Sequence, residues 1–258
     1  MDIASYNCDA WEEEVKKRNK WTVPADSETI AAARKGIFSL LLTPAIPVPG
    51  GWLGDIAGKD ILCLASGGGQ QGPVLAAAGA TVTVFDNCGA QLNQDRLAAE
   101  RESLKLNCVR GDMRDLSAFP DGSFDLIVHP VSNVFVAPIQ PVWDECSRVL
   151  RPGGALLSGF CNPVIYIFDY TAWEKSKELR VRYGIPYSDL DDLPEAELKE
   201  RIARKEPMEF GHSLDDQIGG QLRAGFSIAG FYEDTAGGGM LDPYIKTFIA
   251  TRAVKQRL

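Results

Sequence analysis

Apolar and polar positions change rhythm twice along the chain. Residues 9–21 and 27–42 carry apolar positions at helical spacing among charged ones, and Asp26 or Ser27 stands where a helix N-cap belongs. Three prolines and two glycines within residues 43–51 predict an extended connector. From residue 59 onward, short apolar runs at 60–65, 81–85, 106–110, 124–129 and 155–160 read as strands. The stretches between them at 72–78, 89–103 and 139–150 read as helices. In the last of these, Ile139, Val142, Cys146, Val149 and Leu150 fall at i, i+3, i+7, i+10 and i+11, one face of a helix. Apolar strands separated by helices predict an α/β fold with a parallel sheet covered on both sides and right-handed crossovers.

The alternation breaks at residues 162–211. An aromatic group, Tyr166, Phe168, Tyr170 and Trp173, is followed by a charged helical stretch at 193–205, which together predict an insertion folding over the sheet. A helix at 213–224, a strand at 226–233, a glycine turn at 237–239 and a strand at 245–253 follow. Two strands with no helix between them predict an antiparallel pair at the sheet edge. The layout expected is one domain over 1–258: a helical cap (1–55), a core (56–161), a lid (162–211) and a return to the sheet (212–258).

Composition narrows the classes. The chain has 258 residues, 45% of them apolar, enough for a core that needs no staples. Twenty-seven basic against thirty-five acidic residues give a net charge of −8, which argues against a protein that tracks nucleic-acid phosphates. The longest apolar stretch, 37–53, is cut by Pro44, Pro47 and Pro49, so no membrane span is expected. The first residues have neither a basic start nor an apolar run, so no secretory signal is expected. Six scattered cysteines without a C-x-x-C pair suggest a reducing cytoplasm and no cysteine metal site, and two histidines exclude a multi-histidine one. A monomer or a homodimer fits equally.

The chemistry concentrates in ILCLASGGGQQGP at residues 61–73. Gly67, Gly69 and Gly72 satisfy G-x-G-x-x-G between a strand and a helix, and Asp86 ends the next strand nineteen residues beyond Gly67. Glycines let the backbone turn tightly beside a nucleoside cofactor, and a carboxylate accepts from ribose hydroxyls. By itself this loop serves a nicotinamide cofactor as well as S-adenosylmethionine.

Three further segments separate the two: RGDM at 110–113, FDLIVHP at 124–130 and RVLRPGGALL at 148–157. With them the chain resembles the class I S-adenosylmethionine-dependent methyltransferases, in the methyltransferase-11-like branch, over about residues 59–160 and from 213 on. The wording LCLASGGGQQGP is similar to a bacterial subgroup of small-molecule methyltransferases. The resemblance implies a Rossmann-like, doubly wound seven-stranded sheet of order 3-2-1-4-5-7-6, the last strand antiparallel. It also implies S-adenosylmethionine as cofactor, with Ala65, Ser66, Gly67, Gly68 and Gly69 behind its methionine part. Asp86 would take the ribose, helped by Asn87 or Gln91, and Asp112 and Met113 the adenine. His129, Pro130 and Val131 would border the transferred methyl. The chain departs from the family pattern at Cys63, where an acidic residue often stands, and at Ala65, where glycine does.

Methyl transfer needs a base only if the nucleophile sheds a proton early, and His129, then His212, are the expected candidates. Tyr166, Tyr170 and Trp173 are the expected substrate walls. Residues 129–132, His-Pro-Val-Ser, lack the Asn/Asp-Pro-Pro-Tyr/Phe signature of enzymes methylating base or glutamine nitrogens, so a small organic acceptor is expected rather than nucleic acid. An NAD(P)-dependent oxidoreductase is the rival, but Tyr166 and Tyr170 are followed four residues later by Tyr170 and Glu174, not by the lysine of a Tyr-x-x-x-Lys pair. A non-catalytic cofactor-binding regulator is the other alternative.

Overall fold

The computed structural model describes residues 2–256. Its centre is a seven-stranded sheet built from β1 (Asp60–Leu64), β2 (Thr81–Asp86), β3 (Asn107–Arg110), β4 (Phe124–His129), β5 (Leu150–Cys161), β8 (Phe226–Asp234) and β9 (Phe248–Lys255). Strand order is β3-β2-β1-β4-β5-β9-β8, which is the order 3-2-1-4-5-7-6 when only sheet strands are counted. Strands β1 to β5 pair in parallel, and β9 runs antiparallel to both of its neighbours.

The helices α4 (Gln71–Ala77), α5 (Gly89–Glu102) and α6 (Gln140–Val149) occupy the expected crossovers. Strand β1 is buried almost end to end because helices cover both faces. One face packs Ile61, Cys63, Val84 and Val128 with α2 (Ser27–Ala33) and α4; the other packs Leu62, Leu64, Ile127 and Trp143 with α6. Gly72 lets α4 approach the sheet, since a Cβ there would lie 2.6 Å from the Val84 Cγ2.

The additions differ from the periodicity in detail. The first helix, α1, spans Ile3–Lys16 rather than 9–21, with Asp2 as its N-cap. Helix α2 stops at Ala33, although apolar residues continue to position 42. Gly36, at φ +77°, ends it: the Gly36 and Ile37 N–H groups turn back to the Ala33 and Ala32 carbonyls in a Schellman closure. Leu40 and Leu42 are then buried from an extended segment, not from a helix. The connector 43–46 is clasped by the buried Asp234 carboxylate, whose Oδ2 accepts from Thr43 Oγ1 and from the Ala45 and Ile46 N–H groups, each at 2.8 Å.

The insertion forms a 3-10 turn (Pro163–Ile167), α7 (Tyr170–Ser176), β6 (Tyr187–Ser188), α8 (Asp189–Asp192), α9 (Glu195–Ala203) and β7 (Phe210–Gly211). Strands β6 and β7 pair antiparallel beside a small core containing Val134, Cys161, Tyr166 and Tyr187. The next helix is a π turn, Asp215–Gly219, running into α10 (Gly220–Arg223). The final strand begins at Phe248, three residues later than its apolar pattern suggests. Among the described residues no helix is long and apolar enough to cross a membrane.

Candidate active site

The carboxyl ends of β1 to β5 open into one cavity of about 720 Å³. Its floor follows the strand order. Asp86 and Asn87 leave β2, Asp112 and Met113 follow β3, Ala65 to Gly67 leave β1, Pro130 to Ser132 leave β4, and Cys161 ends β5. Asp86 and Cys161 stand at the tips of strands three places apart, about 14 Å at the usual strand spacing.

The glycine loop is shaped by close approach. A Cβ on Gly67 would stand 2.7 Å from the Gln91 Cβ and 3.1 Å from Asp86 Oδ2. Gly68, at φ +117°, and Gly69, at φ +78°, turn the loop under the cap, where the Trp21 carbonyl and Pro24 fill the space a side chain would need. Ala65 itself sits at φ +46°, the left-handed region that favours glycine, and its N–H donates to the Phe85 carbonyl at 2.7 Å. A small side chain therefore occupies the position where the family pattern has glycine, at a modest cost in strain.

Asp86 reaches across to this loop. Its Oδ2 accepts from the Gly67 N–H at 3.0 Å and its Oδ1 from the Cys88 N–H at 2.9 Å. Burial pushes its carboxyl above the usual range even with these donors. Asp112 is also in the wall, but Arg114 grips both its oxygens at 3.0 and 3.1 Å. Burial opposes ionisation of Asp112, yet the guanidinium holds it below the usual carboxylate range. Gln91 Oε1 is buried without a hydrogen-bond partner among the described residues, and its side chain borders the cavity. Asn87 Nδ2 donates to the Ala4 carbonyl at 3.0 Å, tying the tip of β2 to α1.

Of the expected cofactor residues, Ala65, Ser66, Gly67, Asp86, Asn87, Gln91, Asp112, Met113, Pro130 and Val131 share this one wall. Gly68 and Gly69 lie outside it; they shape the turn from behind. The expectation for the histidines is corrected. His129 is fully buried, with Nδ1 2.9 Å from the Leu64 carbonyl and Nε2 paired with the Asn133 side chain. Burial lowers its pKa, and its ring faces Trp143 rather than the cavity. His212 is likewise buried, its Nε2 held 3.0 Å from the Asn133 carbonyl, with a pKa lowered by burial. Neither lines the cavity, so neither can meet an acceptor there.

The aromatic expectation divides. Tyr166 lines the cavity, whereas Tyr170 and Trp173 do not. The 3-10 turn aims Ile165 and Tyr166 inward, after which α7 carries Tyr170 outward to half exposure and sets Trp173 against Lys177.

Other wall residues have no signature in the sequence. Helix α1 supplies Asn7, Trp11 and Glu14, the lid supplies Glu209, and Phe135 and Phe248 close the far end. Asn7 bridges the roof: its side chain donates to the Phe135 and Met208 carbonyls and accepts from the Met208 N–H at 2.8 Å. Asp95 lies behind the loop, fully buried, its Oδ2 accepting from the Gly68 N–H at 2.9 Å. Its signal was present: Leu92, Asp95 and Ala99 are spaced i, i+3, i+7, so a carboxylate stands on the apolar face of α5. Cys8, Glu12 and Cys88 bring three ligating atoms within 4.8 Å of one another. The Arg110 guanidinium lies 3.5 Å from Cys8 Sγ, however, and that charge opposes a cation.

A family model described as a methyltransferase domain matches residues 62–158. A Bacillus subtilis (strain 168) protein described as the uncharacterized methyltransferase YbaJ is 53% identical over 253 residues, 98% of each chain. A ubiquinone biosynthesis O-methyltransferase of Nitrosococcus oceani is 33% identical over 116 residues, 44% of this chain and 49% of its own. Among solved structures, an S-adenosylmethionine-dependent methyltransferase from Mesorhizobium loti superposes with a TM-score of 0.61 at 18% identity, over 80% of this chain and 94% of its own. The wall suits that cofactor: the half-buried Asp86 carboxylate lines the hollow beside a glycine, Gly67, that leaves no room for a Cβ, and the Gln91 side chain borders it. The chain belongs to the methyltransferase family, as an enzyme dependent on S-adenosylmethionine.

Proposed function

We propose that the enzyme methylates a small organic molecule enclosed between the sheet, helix α1 and the lid, and that positioning supplies most of the rate. The observation that supports this is the continuity of the cavity along the strand tips. A nucleoside over β1 to β3 occupies the end bounded by Asp86, Asn87, Asp112 and Met113, and leaves free the end bounded by Val134, Phe135, Ile165, Tyr166 and Phe248. That second end is walled by apolar and aromatic side chains with one carboxylate, Glu209, among them, and is roofed, as suits an acceptor shielded from water. A roof made by α1 and the lid, joined through Asn7, also disfavours a nucleic-acid strand, as does the acidic balance.

When bound, the cofactor supplies an electrophilic methyl group whose displacement carries the chemical driving force. The chain's own contributions are mechanical and electrostatic. Asp86 accepts from ribose hydroxyls while Gly67 keeps the approach open; Ala65 and Ser66 back the amino-acid part with main-chain groups. Pro130 to Ser132 border the methyl from the end of β4. Val134, Phe135 and Tyr166 fix the acceptor opposite it. Alignment of this kind is worth about 7–11 kcal/mol when the reacting atoms are held in line. In this reading residues 1–55 act as the cap, 56–161 as the cofactor-binding core, 162–211 as the lid and 212–258 as the return to the sheet.

A crystal structure with S-adenosylhomocysteine tests the proposal. The expected density lies across the tips of β1 to β3 with the thioether pointing toward β4, leaving space beside Tyr166 and Phe248. Density that fills the Tyr166 end, or a roof too open to enclose an acceptor, refutes it. Thermal stabilisation by NADH rather than by S-adenosylhomocysteine would favour the oxidoreductase alternative.

A further inference from the structure

With both histidines withdrawn from the cavity, its acceptor end has a different proton acceptor. We propose that Glu209 takes the proton from the acceptor molecule during transfer, and that this acceptor is an uncharged or cationic molecule presenting an O–H or N–H group. The inference rests on the methyltransferase reading above and assigns the acceptor class to the same site.

The geometry is that of a held base. Glu209 lines the cavity, and its Oε2 accepts from the Tyr166 hydroxyl at 3.0 Å. Tyr166 cannot drift: its ring stacks on Tyr187 at 5.4 Å and packs so closely on Gly211 that a Cβ there would lie 2.7 Å from the ring. The other oxygen, Oε1, is 3.4 Å from Arg201 Nη2. Arg201 is fixed in turn by Asp189 at 2.9 Å and by two hydrogen bonds to the Pro207 carbonyl. The charged and titratable groups facing Glu209 are Arg201 from α9, Asp189 from α8, Tyr166 from the 3-10 turn, Tyr170 from α7 and Cys161 from β5. Burial raises the Glu209 carboxyl above its usual range, against the lowering effect of Arg201, so its oxygens hold a transferred proton better than an exposed carboxylate does. Tyr166 and Cys161 are pushed upward by the same burial and stay protonated.

The charge of the wall selects the acceptor. Asp2, Glu14, Asp86, Asp112 and Glu209 line the cavity, while the one lysine or arginine in the described wall, Arg114, is bound to Asp112. A carboxylate or phosphate acceptor would find like charge and no unpaired lysine or arginine in the described wall, since Arg114 is bound to Asp112, and it would need no base. A hydroxyl or amine needs one. As its oxygen or nitrogen bonds to the methyl carbon, the carbon–sulfur pair returns to sulfur, the sulfonium charge is discharged, and the proton moves to a Glu209 oxygen. Charge and atoms balance without another reactant.

The test does not depend on knowing the acceptor. Affinities for S-adenosylmethionine and S-adenosylhomocysteine are measured by calorimetry across pH in the wild type, Glu209→Gln and Tyr166→Phe. These two ligands differ at the sulfur by one charge and one methyl, so their affinity ratio reports negative charge facing that point. The expected result is a wild-type preference for the sulfonium that grows at least fivefold as Glu209 ionises, a flat and smaller ratio in Glu209→Gln, and a shifted midpoint in Tyr166→Phe, with homocysteine-form affinity unchanged in all three. An identical pH profile in wild type and Glu209→Gln overturns the inference. Failure of wild type to bind either ligand would sink the methyltransferase reading instead. Turnover of labelled cofactor is then screened against neutral phenols, primary amines and carboxylic acids: label passing to a carboxylate, or equal turnover by Glu209→Gln, also overturns the assignment.

Discussion

Replacing Asp95 by asparagine should make the protein more stable at alkaline pH, although it removes a charge that accepts a hydrogen bond. Asp95 has no exposed surface, and burial raises its carboxyl from 3.8 to about 7; the N–H groups of Gly68 and Gly69 pull it down and the Asp86 charge adds to the rise. A folded-state pKa above the unfolded one means that the folded chain holds the proton more tightly. The stabilisation is full below the unfolded value and is lost as pH rises through about 7. The shift corresponds to about 4 kcal/mol in all, of which about 3 kcal/mol is lost between about pH 5 and about pH 9. The asparagine carbonyl can still accept from the Gly68 N–H, so the comparison isolates the charge. Urea denaturation of wild type and Asp95→Asn across this range should show the difference swinging by about 3 kcal/mol in favour of the variant as pH rises. Parallel stability curves would refute the claim that an anion is forced into the space behind the loop.

Other substitutions read other parts of the account. Gly67→Ala places a methyl 2.7 Å from the Gln91 Cβ and beside Asp86, so S-adenosylhomocysteine affinity should fall at least tenfold by calorimetry while the far-ultraviolet dichroism stays native. Asp234→Ala removes three hydrogen bonds from the connector and should cost about 3 kcal/mol in urea melts. N–H and hydroxyl donors hold Asp234 below the usual range despite its burial, so its contribution should be present near neutrality and fade as pH falls through its folded value. Arg148→Ala cuts bonds to Glu145, Asp121 and the Phe119 and Leu116 carbonyls, and should cost about 2 kcal/mol while leaving cofactor affinity within twofold.

The Arg148 prediction also shows what kind of information the sequence motifs hold. The RVLRPGG segment marks the family, yet in the structure Arg148 fastens the loop before β4 and Arg151 pairs with Asp60 and Asp125, and neither lines the cavity. Local signals served wherever one element decided the outcome. The strand–helix alternation located every sheet strand, and the glycine spacing with Asp86 located one end of the cavity, because each depends on residues close in sequence or on adjacent parallel strands. They failed where distant segments decide. The apolar run 37–42 resembles a helix until Gly36 ends α2 and the core on one face of the sheet takes up Leu40 and Leu42. His129 ends a strand at the cavity, but the Leu64 carbonyl and the Asn133 side chain, itself held by Gln217 eighty-four positions on, turn its ring into the core. Glu209 sits in a charged stretch with no motif and becomes chemical only because Tyr166, forty-three positions earlier, folds against it.

Asp86 is the proposed hold on a nucleoside at the strand tips. Titration calorimetry of S-adenosylhomocysteine against wild type and Asp86→Ala measures that hold. One molecule should bind per wild-type chain, and the variant should lose about 1.5–3 kcal/mol, a factor of roughly ten to a hundred or more, as expected for lost hydrogen bonds to a charged acceptor. Equal affinity in the two proteins, or no binding to the wild type, would contradict the account.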